Sequence, residues 1–253
     1  MKIVVTTKQV PDPNASPALE QDFSLSRDRD AVLDPGDECG VEVGLQLQEA
    51  HGGEVLLVSM GTDRARDAIR KGLSMGADRA ALVTDPALQG ADALMTARVL
   101  AAVISKESPD LVICSTESYD GSSGLVPAML AELLNRPQLT FAKRVEARPV
   151  EVIVERQTSW GHEVVRSPLP ALVTVTAGIA EPRYASLRGI MAARSKEIAE
   201  LTLADLGLEP EEPVEEILRV TDAPPRAAGE IVEGDGEAVV ERILAALDGA
   251  KVL

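Results

Sequence analysis

Lys2–Thr7, Glu54–Met60, Asp78–Thr84 and Leu111–Ser115 are short runs in which apolar and β-branched residues follow one another with little interruption. Runs of this length without alternation predict strands buried on both faces of a sheet. Longer stretches between them carry helix signals. Asp34–Ala50 opens with Asp34 before Pro35 and places Val41, Leu45 and Leu47 inside. Thr62–Leu73 has Asp63 in its first turn and Lys71 in its last, as the helix dipole prefers. Asp92–Ser105 is rich in Ala, Leu and Val, and Ser122–Leu134 follows the loop Thr116–Gly121. Each strand is followed by a helix, which predicts right-handed crossovers and an α/β fold with a doubly wound, mostly parallel sheet.

The pattern changes near Pro137. Leu139–Val145, Val150–Gln157 and His162–Arg166 alternate or favour β-branched residues, with turn signals at Arg148-Pro149 and Trp160-Gly161. They predict an antiparallel meander near 138–167 that returns to the sheet through Ala171–Thr176. Beyond 201 the alternation fades. Glu209–Glu216 is acidic and contains proline, Ala223-Pro224-Pro225-Arg226 is stiff, and Ala238–Leu247 reads as a short last helix. The expected division is an α/β nucleotide-binding domain over 1–180, a loop and helix over 181–200, and an arm over 201–253. The arm has no core of its own and is expected to pack on a partner.

Hydrophobic residues make up 45% of the 253, but aromatics only 2%, so Val, Leu, Ile and Ala must build the core. The net charge of −16 argues against a nucleic-acid partner, since phosphate backbones recruit basic surfaces. No apolar run reaches the roughly 18–20 residues of a membrane span. Met1–Lys8 reads as a strand rather than an export signal, and Cys39 and Cys114 form no CxxC. Both features point to a cytoplasmic setting with reduced thiols.

Catalytic signatures are missing: there is no Walker A loop and no GxGxxG after the first strand. Gly72-Leu73-Ser74-Met75-Gly76 matches GxSxG, but it ends a helix and precedes a strand, the reverse of a nucleophile elbow. It reads as a glycine-capped helix end. His162-Glu163-Val164-Val165-Arg166 lacks the second histidine of a zinc motif, and no metal constellation is left. The small-molecule candidate is Tyr119-Asp120-Gly121-Ser122-Ser123-Gly124, which follows the fourth strand and opens a helix. Free N–H groups, the helix dipole and serine hydroxyls suit a phosphate there. The same residues also make an ordinary Asp-Gly turn with a serine cap. Ligands of parallel sheets sit beyond the carboxyl ends of the strands. Thr6-Thr7, Met60-Gly61 and Asp34-Pro35-Gly36-Asp37 lie at such ends, so three loops are expected to converge on one adenine nucleotide.

The window Glu181–Lys196 carries Arg183, Arg188, Arg194 and Lys196, with no acid after Glu181. Leu187, Ile190 and Met191 stand among these cations. Apolar side chains ringed by positive charge suit docking onto an acidic partner, with charge steering the encounter and apolar anchors holding it. A turn before a short amphipathic helix is the plainer alternative.

This window, running Glu181-Pro182-Arg183-Tyr184-Ala185-Ser186-Leu187-Arg188-Gly189-Ile190-Met191-Ala192-Ala193-Arg194, closely resembles the recognition loop of electron-transfer flavoprotein beta subunits. The resemblance runs nearly the whole length. It takes in Lys8-Gln9-Val10-Pro11-Asp12, Ala68–Asp78, Leu169-Pro170-Ala171-Leu172-Val173 and Ala223–Gly229. It implies an adenine-nucleotide-binding, stress-protein-like fold and a heterodimer with an alpha subunit that holds most of the FAD site. It also implies AMP in this subunit, held by Thr6, Asp34, Pro35, Gly36, Asp37, Met60, Thr116, Asp120, Gly121, Ser122 and Ser123. Partner recognition would fall to Arg183, Tyr184, Leu187, Arg188, Ile190 and Met191. The implied role is an electron carrier without bond-making catalysis. It would take electrons from flavin dehydrogenases, such as the acyl-CoA dehydrogenases of fatty acid oxidation, and pass them toward a membrane quinone oxidoreductase.

Flavin-bifurcating members read D-G-D-T-A-Q-V-G at the nucleotide loop, where this chain reads Asp120-Gly121-Ser122-Ser123-Gly124-Leu125-Val126-Pro127, which favours AMP over a second FAD. An FAD-binding subunit of a bifurcating complex is one alternative. A stand-alone adenine-nucleotide-binding protein is another, against which the long tail and the cationic loop both speak. A nucleotide-activating ligase needs a Ser-Gly-Gly loop after the first strand, and Lys8–Pro13 has none.

Overall fold

The computed structural model describes residues 1–15, 18–21, 25, 26, 31–215, 217–221, 229 and 231–252. The chain divides into two compact units, Met1–Ile217 and Leu218–Leu253.

In the first unit the strands are β1 (Lys2–Thr7), β2 (Gln9–Pro11), β3 (Ala31–Leu33), β4 (Glu54–Met60), β5 (Arg79–Val83) and β6 (Leu111–Ser115). They continue with β7 (Gln138–Ala147), β8 (Glu151–Thr158), β9 (Gly161–Pro168), β10 (Ala171–Val175) and β11 (Ile198–Leu201). The helices are α1 (Pro35–His51), α2 (Ala65–Met75), α3 (Ala93–Glu107), α4 (Leu125–Leu133), α5 (Leu187–Ala193) and the single turn α6 (Leu203–Leu206). Among the described residues the main sheet runs β11-β5-β4-β1-β6-β10-β7-β8-β9. Pairing is parallel from β11 through β7, and β8 and β9 add an antiparallel hairpin.

Alternation explains why the central strands look continuously apolar. Ile3 and Val5 join a core with Val41 and Leu45 of α1 and Ile69 and Leu73 of α2. Val4 between them joins a second core with Val99, Val103 and Leu130 on α3 and α4. Val55/Leu57 against Leu56/Val58, and Leu111/Ile113 against Val112/Cys114, split in the same way. Period-2 geometry sends neighbours to opposite faces, and helices cover both faces. The core is aliphatic as expected. Tyr119, Phe141, Trp160 and Tyr184, the aromatics among the described residues, are all exposed.

Three elements differ from the sequence pattern. β7 belongs to the parallel array as well as to the meander, because β10 inserts between β6 and β7. A two-stranded antiparallel sheet, β2 with β3, follows β1 directly. Its strands are too short to show a periodicity, yet Val10 and Leu33 are buried. The edge strand β11 pairs with β5, and Leu203 just after it is buried, so residues 198–206 belong to this unit. Gly76 closes α2, so Ser74 lies in a helix end and not at a strand-to-helix elbow.

The second unit holds α7 (Gly236–Gly249), whose cap Asp235 accepts the Ala238 N–H. Glu216 and the proline stretch Ala223–Arg226 lie outside the described residues. None of the helices searched among the described residues is long and apolar enough to cross a membrane.

At the amino ends of the strands a charge cluster joins three strands to α3. Arg79 meets Glu107 at 2.7 Å and Glu54 at 3.2 Å, and Lys2 meets Glu107 at 2.7 Å. The Arg79 guanidinium holds Glu107 down at about 2, and Arg79 likewise lowers Glu54. A carboxylate with a depressed pKa stabilises the fold above its ordinary value, and that contribution is lost as pH falls toward the folded value. Glu107→Gln is therefore expected to cost about 1 kcal/mol at neutral pH, a solvent-screened figure. Urea midpoints of the two proteins measured against pH should converge as pH drops from 4.5 toward about 2. A pH-independent gap would count against the ion pair as its cause.

Candidate functional site

The carboxyl ends of β4, β1 and β6 lie side by side, because these strands are neighbours in the sheet. At the usual strand spacing they span about 10 Å. Met60 and Thr6 are half-buried there, and Thr116 follows β6 with its hydroxyl donating to the Val175 carbonyl at 3.0 Å. The Thr6 hydroxyl lies against the Cys114 thiol, which burial pushes up to about 12. Thr7 follows Thr6 at this strand end, which the sequence pattern marks as one of those facing a ligand. Its buried hydroxyl is without a hydrogen-bond partner among the described residues.

Two buried carboxylates brace the loops. Asp34 caps α1, with Pro35 in the first turn, and accepts the Gly36 N–H at 2.8 Å. Its other oxygen accepts the Tyr119 N–H from the β6–α4 loop at 2.7 Å. Asp37 accepts the Lys8 N–H at 2.8 Å. Burial raises the pKa of Asp37 first, the Asp34 charge adds to this, and hydrogen bonds from Ser115 and the Lys8 N–H oppose it. Gly36 presses so close to β6 that a Cβ there would stand 3.0 Å from the Ser115 Cβ. Lys8 crosses to the same loop, with Nζ 2.7 Å from Asp120 and 3.3 Å from the Ser118 hydroxyl. Asp34, Asp37 and Asp120 thus turn their carboxylates onto the protein itself and tie three loops together.

The loop itself departs from the expected helix start. α4 begins at Leu125, because Ser122 (φ 47°) and Gly124 (φ 63°) take left-handed backbone that no α-helix includes. The Ser122 N–H is engaged with the Ser118 carbonyl at 2.9 Å. The anion-ready donors therefore shift along the chain. α4 opens on Gly124 without a side-chain cap, its first turn leaves N–H groups unpaired, and Gly121, Ser123 and Leu125 are exposed beside it. An uncapped helix N-terminus next to polar strand ends fits a nucleotide phosphate.

The cationic window forms a second feature. α5 is capped by Ser186, which accepts the Gly189 N–H, and it packs on α2. Tyr184, Leu187 and Met191 are 93%, 82% and 72% exposed, and Ile190 is 43% exposed. Two open grooves of about 450 Å³ and 430 Å³ lie along α5, lined by Ile190, Ala193 and Arg194 in one and by Tyr184, Arg188 and Gly189 in the other. The cations divide into two groups. Arg183 is bound to Glu42 at 2.7 Å and to Glu49 at 2.5 Å, and Lys196 donates to carbonyls at the end of α2. Their charge is engaged within the fold and does not stand out for steering. Among the described residues Arg188 and Arg194 have no ion-pair partner, and they supply the outward charge.

The family model of the electron transfer flavoprotein domain matches residues 22–206. The chain is 41% identical to the electron transfer flavoprotein subunit beta of Mycobacterium tuberculosis, over 93% of each chain. It is 34% identical to that of Thermoanaerobacterium thermosaccharolyticum over the full length of both. The chain belongs to the electron transfer flavoprotein beta-subunit family. The chain is also 33% identical, over 92% of each chain, to the caffeyl-CoA reductase–Etf complex subunit CarD of Acetobacterium woodii. Membership assigns the chain to electron transfer. The domain match covers the braced loops from Asp34 onward and the whole exposed α5 window, while Thr6 and Lys8 precede it.

The bracing generates a test. Asp34→Ala removes a helix cap and the acceptor for a loop N–H at once, and should cost about 2–3 kcal/mol in denaturant unfolding. Asp34→Asn keeps one acceptor oxygen and should cost less. Equal small losses for both would mean that Asp34 does not hold the loop.

Proposed function

We propose that this chain is the recognition half of a cytoplasmic two-subunit electron carrier. It buries AMP at the carboxyl edge of its sheet and pairs with an alpha subunit that holds FAD. Its exposed α5 docks flavin dehydrogenases, and the carrier passes the electrons on toward a membrane quinone oxidoreductase. When bound, the FAD supplies the electron-accepting chemistry. The residues of this chain bind, orient and recognise.

The carrying observation is α5. Four apolar side chains, Tyr184, Leu187, Ile190 and Met191, stand together toward solvent on a segment that is tied down elsewhere. Other aliphatic side chains are exposed too, but here Leu187 at 82%, Ile190 at 43% and Met191 at 72% fall at helical spacing on one short helix, flanked by Arg188 and Arg194, which have no ion-pair partner among the described residues. Such a cluster is what an interface anchor looks like before its partner arrives. The uncapped start of α4 supports the AMP reading, since an anion there completes the helix end. The CarD relative makes an FAD-binding subunit of a flavin-bifurcating complex the alternative to test against.

Purification with its partner chain, followed by denaturation and nucleotide analysis, decides between these. Stoichiometric AMP is expected, and FAD released from this subunit would move the chain to the bifurcating reading. Ser123→Glu should expel the AMP, because a carboxylate beside the α4 N-terminus competes with the phosphate. Retained AMP in that variant would place the phosphate elsewhere.

Leu187→Ala addresses docking. Loss of an interface anchor costs about 2 kcal/mol or more, roughly a 30-fold drop in affinity for the dehydrogenase. Melting temperature and flavin content should stay unchanged, because this side chain touches solvent and not the core. Unchanged electron transfer from an acyl-CoA dehydrogenase would remove Leu187 from the docking surface.

A further inference from the structure

Isolated helices shorter than about 12 residues do not persist in water. α5 has only 7 residues, and its largest side chains point outward. Only Ala193 of this helix is buried. The grip on α5 comes from elsewhere, in three places.

At the start of the window, Arg183 fastens the chain to α1. Its backbone N–H and its Nε both reach Glu42, at 3.1 and 2.7 Å, and its Nη1 reaches Glu49 at 2.5 Å. Glu42 is buried, so this pair is screened less than a surface one. In the middle, α5 lies directly on the last turn of α2. A Cβ on Gly189 would stand 2.4 Å from the Ser74 carbonyl oxygen, so only glycine allows this approach. At the end, two cations are exchanged. Lys196 Nζ donates to the carbonyls of Leu73, Gly76 and Ala77 at 3.2, 3.2 and 2.5 Å, at the negative end of α2. Arg70 of α2 returns the contact, donating to the Ala193 carbonyl and to the Lys196 carbonyl at 2.8 Å. Each helix end is closed by a cation from the other segment.

We propose that Arg183, Arg70 and Lys196 are positioning residues that hold α5, with Leu187 on it, in its docking orientation before any partner binds. This rests on the docking reading of α5. A loop held this way binds as a preformed body, so its ordering cost falls on folding and not on association. Cations that a sequence pattern suggests for steering instead fix the geometry of the anchor.

The test uses the full chain in its assembled carrier. Lys196→Met should speed hydrogen exchange of amides 187–193 by about tenfold or more while sheet amides keep their rates. With an acyl-CoA dehydrogenase as donor, the KM for the carrier should rise several-fold at unchanged kcat. Lys196→Arg, which can still donate to the same carbonyls, should restore both. Should Lys196→Met fail to fold, the paired replacement Glu42→Gln with Arg183→Met loosens the other end without orphaning a buried carboxylate. Unchanged exchange in the loop overturns the proposal. So does faster exchange with an unchanged KM when Leu187→Ala, measured alongside, raises the KM. If Leu187→Ala itself leaves the KM unchanged, the docking reading fails, while faster exchange on its own still supports the hold.

Discussion

A parallel sheet covered by helices on both faces leaves one place for polar chemistry, the ends of its strands. Ile3, Val4 and Val5 each belong to a core, two to one and one to the other, so no position along β1 is free for function until Thr6. The same holds for β4 up to Ser59 and for β6 up to Ser115. At the carboxyl edge three loops must turn within a few ångströms of one another, and their N–H groups need acceptors. Asp34 and Asp37 supply them from inside the fold. Burying two carboxylates so close together is unfavourable, and the raised pKa of Asp37 records a desolvation that its hydrogen bonds do not fully offset. The return is a carboxyl edge whose loops are braced by the protein itself.

The same economy governs the cations. In a chain of net charge −16, acids outnumber the cations that could pair with them. Arg183 takes Glu42 and Glu49, and Arg79 takes Glu54 and Glu107. What is left for the exterior of the 181–196 window is Arg188 and Arg194, together with the apolar quartet. Position thus comes from cations engaged with acids and with backbone carbonyls, and what faces outward is unpaired charge and exposed carbon.

The layered fold was legible because its signal is periodic: strands of five to seven residues and helices of nine to seventeen carry enough positions to show it. β2, β3 and β11 carry three or four residues each and show none, although Val10 and Leu33 are as buried as any core residue. Their pairing is set by neighbours distant in sequence. The strand-end loops were legible as a group, since parallel topology puts them together whatever their residues. The division of labour inside the group was not. Nothing in the string Asp34-Pro35-Gly36-Asp37 tells that its carboxylates accept N–H groups from Tyr119 and Lys8. Nor does Ser122-Ser123-Gly124 reveal that left-handed backbone delays the helix to Leu125. Arg183 likewise looked like outward charge, because its partners lie 134 and 141 positions away.

α2 connects the two functional features. The Gln9 side chain donates to the Arg64 carbonyl just before α2, joining that end to the segment that leaves β1 and carries Lys8 toward Asp120 in the β6–α4 loop. The other end of α2 exchanges cations with the segment that closes α5. A helix locked at both ends is a strut. Coupling by a switch requires an element with two arrangements whose balance each site biases, and these contacts describe only one. The loop segment that leaves β1 and the segment that closes α5 are thus held to opposite ends of the same helix.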